Sequence, residues 1–169
     1  MRFSRVLPIV AALLALGWQL APERPRIPVA GATRSDWNPA SFWHTPWGRS
    51  GVHKGIDIFS PLGTPVVAPT YGMVVFTGEI ALGGKVVFAL GPGWRLHYFA
   101  HLDEIAVFPG RPIGAGTVLG SVGESGNARG RPPHLHYSIL SLVPRIGRAD
   151  DGPQGWKKMF YLDPGAYLP

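Results

Sequence analysis

Cysteine is absent from this 169-residue chain. That excludes disulfides, thiolate metal sites, a cysteine nucleophile and a lipid-modified cysteine anchor. Any metal site must therefore use imidazole and carboxylate. Acidic residues are few, 10 Asp and Glu against 16 Lys and Arg, for a formal net charge of +6. The imbalance favours an anionic partner such as nucleic acid, phospholipid headgroups or an acidic wall polymer, or else a solvated basic surface with no dedicated partner. The basic residues form no run, which argues against nucleic acid. Long apolar runs are missing too: the stretch Val6 to Gly17 falls short of the about 20 residues that a membrane span needs.

Glycine and proline are abundant, 23 and 18 residues. Both are poor in helix interiors and common at turns, so short strands joined by many turns are expected. Apolar, β-branched runs follow one another at Pro65 to Ala68, Met73 to Phe76, Lys85 to Leu90, Arg95 to Ala100, Thr117 to Val122 and His134 to Leu140. Turn signals such as Gly83-Gly84 and Pro109-Gly110 separate them. The spacing predicts an all-β, antiparallel sandwich or barrel. A weak repeat predicts a duplicated β unit: Gly63-Thr-Pro-Val-Val-Ala68 resembles Gly110-Arg-Pro-Ile-Gly-Ala115, and each is followed by Gly-x-Val at Gly72 to Val74 and Gly120 to Val122. Pro144 to Met159 shows no strand period and reads as a loop or short helix.

Three segments are expected. Residues 1–22 combine Arg2 and Arg5 with the apolar stretch and read as a signal peptide or membrane anchor. Residues 23–45 read as a Pro-rich tether and a Trp-rich loop packed on the domain. Residues 46–169 form the globular domain.

The chemistry concentrates in the six histidines. In His134-Leu-His136 two imidazoles stand two residues apart, on one face if the segment is a strand. His53-Lys-Gly-Ile-Asp57 puts an imidazole and a carboxylate four apart, again on a common face. His and Asp are ligands that zinc accepts, and three from two strands leave a fourth tetrahedral position for water. By alternation His97, Phe99 and His101 are expected to share a face. His44, isolated, reads as an ordinary hydrogen-bonded or surface histidine.

Three motifs in order, Gly51-Val-His-Lys-Gly-Ile-Asp57, Phe99-Ala-His-Leu102 and Pro133-His-Leu-His-Tyr137, resemble the LytM or lysostaphin-type zinc metallopeptidases. The resemblance covers about Trp47 to Leu140 and extends to the terminal Asp163-Pro and Tyr167-Leu168. It implies a barrel-sandwich hybrid, a Zn2+ ion held by His53, Asp57 and His136, and His101 and His134 acting on water and substrate. It implies an endopeptidase of bacterial peptidoglycan, monomeric, exported to the periplasm or cell envelope, either released or anchored to the inner membrane. Three positions depart from the family pattern: Phe99 for Tyr, Tyr137 for Phe, and His97 where Thr is common, which could bring an extra imidazole to the cleft. The chain lacks H-E-x-x-H, whose Glu serves many zinc peptidases as general base, so imidazole takes that work.

Two other readings compete. Such a domain can be a non-catalytic activator of other wall hydrolases once it has lost ligands, but here every ligand position is filled. A biotinyl or lipoyl carrier would need a modifiable lysine at a tight turn. Lys85, the nearest candidate, lacks the flanking methionines.

Overall fold

The computed structural model describes residues 3–169; Arg2 of the positively charged start lies outside them. Helix α1 (Phe3–Leu20) contains Pro8, and no helix among the described residues is long and apolar enough to cross a membrane. Nine strands follow: β1 (Ile56–Phe59), β2 (Pro65–Val67), β3 (Gly72–Ile80), β4 (Gly84–Gly91), β5 (Arg95–Ile105), β6 (Pro112–Ile113), β7 (Val118–Val122), β8 (His134–Ser141) and β9 (Tyr161–Leu162). A single-turn helix, α2 (Pro164–Tyr167), is capped by Asp163, whose carboxylate accepts from the Gly165 amide at 2.8 Å. Pro144 to Met159 forms two short 3-10 turns and no strand, as its sequence suggests.

The strands hydrogen-bond in the order β1-β8-β5-β4-β3-β6, all antiparallel, with β9 beside β8 and β7 joining β5 to β2. The fold is mostly antiparallel β-sheet, as expected. The repeat has a structural counterpart. The short strand of each copy pairs with the long strand of the other: β2 with β7, through Val66 and Gly120, and β6 with β3, through Ile113 and Gly72. Gly63 and Gly110, at matching places in the two copies, both have positive φ, 83° and 88°, which favours glycine because it has no Cβ.

One face of the central strands is the core. Ile56, Ile58, Val87, Phe99, Leu135, Tyr137 and Ile139 are fully buried there, and each such side chain removed from water contributes about 1.5–3 kcal/mol. The segment expected to be a tether lies against this body. Val29 is buried and bridges to Val66, the Val67 amide donates to Pro28 O, and the Glu23 carboxylate, well covered, pairs with Arg95 and Tyr167. The physical reason is that Ile27, Val29 and Trp37 supply apolar surface to the core, against the short strand β2 that needs a neighbour.

The expected common face of His97, Phe99 and His101 does not exist. His97 and Phe99 point into the core, whereas His101 points to the opposite side because the chain bulges between them. The β4–β5 register shifts between Lys85 and Val87, and His101 takes a left-handed φ of 63°. A bulge inserts one residue and resets the alternation. His97 is therefore no cleft residue: it is buried, with Nδ1 hydrogen-bonded to the Tyr137 hydroxyl at 2.7 Å and Nε2 without a partner.

Burial, with the nearby Arg95 guanidinium, pushes the His97 pKa down to about 3. A folded-state pKa below the unfolded value means that the unfolded chain binds more protons between pH 6.5 and 3. Stability is then intact above 6.5 and is lost as pH falls through this window, by at most about 1.4 kcal/mol per pH unit from this group. Denaturant unfolding at a series of pH values should show a shallower acid loss for His97→Gln than for the parent chain. Identical slopes would remove His97 as the responsible group.

Candidate metal centre

The other face of the sheet carries the polar residues. Asp57 of β1 lies opposite His136 of β8, and Phe59 opposite His134. His136 in turn faces Ala100 of β5, whose small side chain leaves room above it. His53 precedes β1, and its backbone pairs with Trp43 and His44. Gly55 must be glycine: its α-carbon lies against the β8 backbone at Tyr137, and a Cβ would collide with that carbonyl and with Ser138 Oγ.

Three donor atoms converge. His53 Nε2 is 3.0 Å from Asp57 Oδ1 and 3.1 Å from His136 Nδ1, and His136 Nδ1 is 2.8 Å from the same oxygen. The outer nitrogens are engaged elsewhere. His53 Nδ1 donates to Ser41 O at 3.0 Å, and His136 Nε2 lies 3.0 Å from Ser138 Oγ. With protons held on the outer side, the inner nitrogens present lone pairs to each other and to a carboxylate oxygen. Acceptors turned on one another repel unless a cation lies between them. Tetrahedral zinc with bonds of 2.0–2.1 Å holds neighbouring ligands about 3.4 Å apart, so the set fits such an ion with small adjustments. Among the described residues these three form a His/Asp group able to hold a metal. Burial alone would raise the Asp57 pKa; in the other tautomer, with the proton of each imidazole on its inner nitrogen, hydrogen bonds from His136 and His53 outweigh burial and hold the carboxyl well below its usual range.

His101 and His134 stand beside this group, ring centroids 5.0 Å apart, with His101 5.9 Å from His136. Each directs Nδ1 to a backbone carbonyl, His101 to Ser125 at 2.9 Å and His134 to Pro132 at 2.8 Å. That arrangement leaves both Nε2 atoms as acceptors, and His134 Nε2 is 4.0 Å from Asp57 Oδ2. Burial, then the imidazoles of His136 and His134, lower the His101 pKa to about 4. His101 is thus neutral at pH 7, with Nε2 an acceptor, although burial makes it a weaker base than a free imidazole.

All five residues singled out from the sequence are gathered here. Several neighbours are not evident from the sequence. Trp47 stacks on the His53 ring, centroids 4.0 Å apart and planes 23° from parallel, which holds the imidazole by its face. A cleft of about 270 Å³ opens on Asp57 between Trp47, Phe59, Ala40, Asn38 and His44. His44, expected to be an ordinary hydrogen-bonded or surface histidine, is exposed and lines the approach to the site. Its signal was its place in the Trp-rich loop, which packs directly over the cleft.

The five residues lie within a stretch that known proteins share. A sequence model of Peptidase family M23 matches residues 51–147. The chain is 37% identical over 115 residues to an L-Ala–D-Glu endopeptidase of Bacillus subtilis, covering 63% of this chain and 35% of that protein. It is 32% identical to the peptidoglycan DD-endopeptidase ShyA of Vibrio cholerae, covering 68% and 26%. The chain thus spans about a third or less of the length of these relatives. Among solved structures, the catalytic domain of lysostaphin from Staphylococcus simulans superposes with a TM-score of 0.61 at 26% identity, over 76% of this chain and 88% of that one. A zinc-containing peptidase from Vibrio cholerae gives 0.56 at 30% identity, over 70% and 37%. With the sequence model matched over more than half its length and its strands superposing on those of lysostaphin, the chain belongs to Peptidase family M23.

Proposed function

We propose that this chain is a zinc-dependent endopeptidase that hydrolyses peptide bonds in bacterial peptidoglycan. The observation that carries the reading is the convergence of His53 Nε2, His136 Nδ1 and Asp57 Oδ1 with the two acceptor nitrogens of His101 and His134 beside them. His53, Asp57 and His136 would hold the ion. Zinc bound there supplies Lewis acidity, making water a nucleophile near neutral pH and polarising the scissile carbonyl. His101, neutral and pinned by Ser125, accepts the proton of the attacking water. His134, pinned by Pro132, shares that work or steadies the oxyanion once it carries a proton. The complete ligand set favours this over a non-catalytic activator, because an activator has no use for three ligands and two oriented bases. The relatives' names supply the substrate class.

The cell-envelope location is proposed from the positive and apolar start of the chain and from the wall-directed relatives. Residues 1–32 fused to a reporter that is active only after export should give signal outside the cytoplasm. A silent reporter with full expression would refute export.

Hydrolysis of sacculi should vanish with a chelator and return with zinc. His136→Ala should lose zinc, whereas His101→Ala should keep it and turn over about a hundredfold to ten-thousandfold more slowly. Zinc content beside rate for each purified variant decides the matter. Loss of zinc from the His101 variant and retention in the His136 variant would reverse the assignment. Ser138→Ala removes the partner that holds the outer nitrogen of His136. It should weaken zinc affinity about tenfold to a hundredfold, read by competition with a chromophoric chelator. An unchanged affinity would mean that Ser138 does not orient the ligand.

A further inference from the structure

Of the three proposed ligands, His53 alone lies outside a strand. Asp57 and His136 are placed by the pairing of β1 with β8, whereas His53 precedes the start of β1 at Ile56. Its placement falls to the Trp-rich loop before it. The Trp43 amide donates to His53 O at 2.7 Å, and the His53 amide donates to His44 O at 3.0 Å. Ser41 O accepts from His53 Nδ1, and Trp47 covers the ring face. Enclosed in this way, His53 is 1% exposed.

The two ring contacts restrain different motions. A hydrogen bond in the plane of the imidazole leaves the ring free to pivot about the N–H···O line. An indole lying 4.0 Å away and 23° from parallel stops that pivot, because a tilt would press ring atoms inside van der Waals contact. Together they leave one orientation, with Nε2 towards Asp57 Oδ1 and His136 Nδ1. The Ser41 carbonyl also selects the tautomer: it accepts a proton from Nδ1 and so keeps the lone pair on Nε2.

The loop is itself tied down at several points. Trp47 and Gly51 exchange backbone hydrogen bonds of 3.0 and 2.9 Å, and Gln154 Nε2 donates to Ser50 O at 2.8 Å. The Trp43 indole N–H donates to Pro153 O at 3.3 Å, and its ring meets Tyr161 edge to face. Trp43 has a left-handed φ of 62°, which residues other than glycine seldom adopt. That costly conformation occurs at the residue whose amide holds His53, and the surrounding contacts maintain it.

We propose that Ser41 to Trp47 form a clamp that sets His53 as a zinc ligand before the ion arrives, with Trp47 as the positioning residue. The proposal rests on the zinc reading above and deepens it. A histidine on an irregular segment would lose rotational freedom on binding an ion, and that loss would weaken the affinity. With the clamp closed, the loss falls on folding and the site is ready-made. The outer hydrogen bond to Ser41 orients the ligand as such bonds do in metal sites generally, and the stacked indole completes it.

The test uses the full chain, stripped of metal and titrated with zinc against a chromophoric chelator. Trp47→Leu keeps apolar bulk without a flat wall and should weaken zinc affinity about twofold to tenfold, the size of one aromatic contact. Trp47→Phe returns a flat ring and should recover the affinity. Circular dichroism of the metal-free variants separates a misplaced ligand from a lost fold. Equal affinity in the leucine variant and the parent, or a phenylalanine variant as weak as the leucine one, would each overturn the proposal. A second measurement needs no variant. Long-range proton–nitrogen NMR spectra of the metal-free parent should show the His53 proton on Nδ1 and the ring protons moved to high field by the indole. A proton on Nε2, or ring protons at free-histidine positions, would overturn the clamp even if the leucine variant failed to fold. If the parent binds no zinc, the metal-centre reading fails by itself, while these spectra still decide whether the loop fixes His53.

Discussion

Asp57 lies opposite His136, and His136 opposite Ala100, in an antiparallel pairing that also sets Ile56 and Phe99 on either side of Tyr137. Because successive strand residues point to opposite faces, one register serves both the proposed metal centre and the core. Slipping β1 by one residue against β8 would send Asp57 into the apolar core and Ile56 or Ile58 to the ligands. The large penalty for burying that carboxylate unpaired makes the core the guardian of the site's geometry. No separate scaffold is needed: two of the three proposed ligands, Asp57 and His136, stand on strands β1 and β8, whose reverse face is the core.

Much of this was legible in the sequence because strand alternation is a strict rule. His134 and His136 share a face since they are two residues apart on an unbroken strand, and the short β-branched runs correspond to β2, β3, β4, β5, β7 and β8. Alternation failed at His101, where a bulge resets the period without leaving a glycine or proline to announce it. The short strands β6 and β9 carry too few residues to show any period. The docking of residues 23–37 was hidden by prolines, which read as a spacer but are compatible with an extended chain lying on an edge. The stacking of Trp47 on His53 and the pinning of His136 by Ser138 are tertiary contacts that spacing alone does not encode.

The departures of His97 and Tyr137 from the family pattern are explained together. In the structure the two side chains hydrogen-bond to each other in the core. A hydroxyl at position 137 needs a buried partner, and an imidazole at 97 supplies it, so each substitution is tolerable because of the other. Tyr137 adjoins His136 on β8 and points to the reverse face, and His97 reaches it from the neighbouring strand β5. Neither member reaches the cleft.

The exchange of short strands between the two repeat units governs when the molecule can assemble. Strand β2 waits for β7, more than fifty positions later in the chain, and β3 waits for β6. Neither unit can close its own edge, so there is no autonomous half to serve as a nucleus, and the long loops between partners must be closed before their contacts form. His53 and His136 are 83 residues apart, so a polypeptide still emerging from its ribosome has no preformed trap for an ion at the proposed centre. Loading of that centre would be a late event, reserved for a chain in which both segments are already in place.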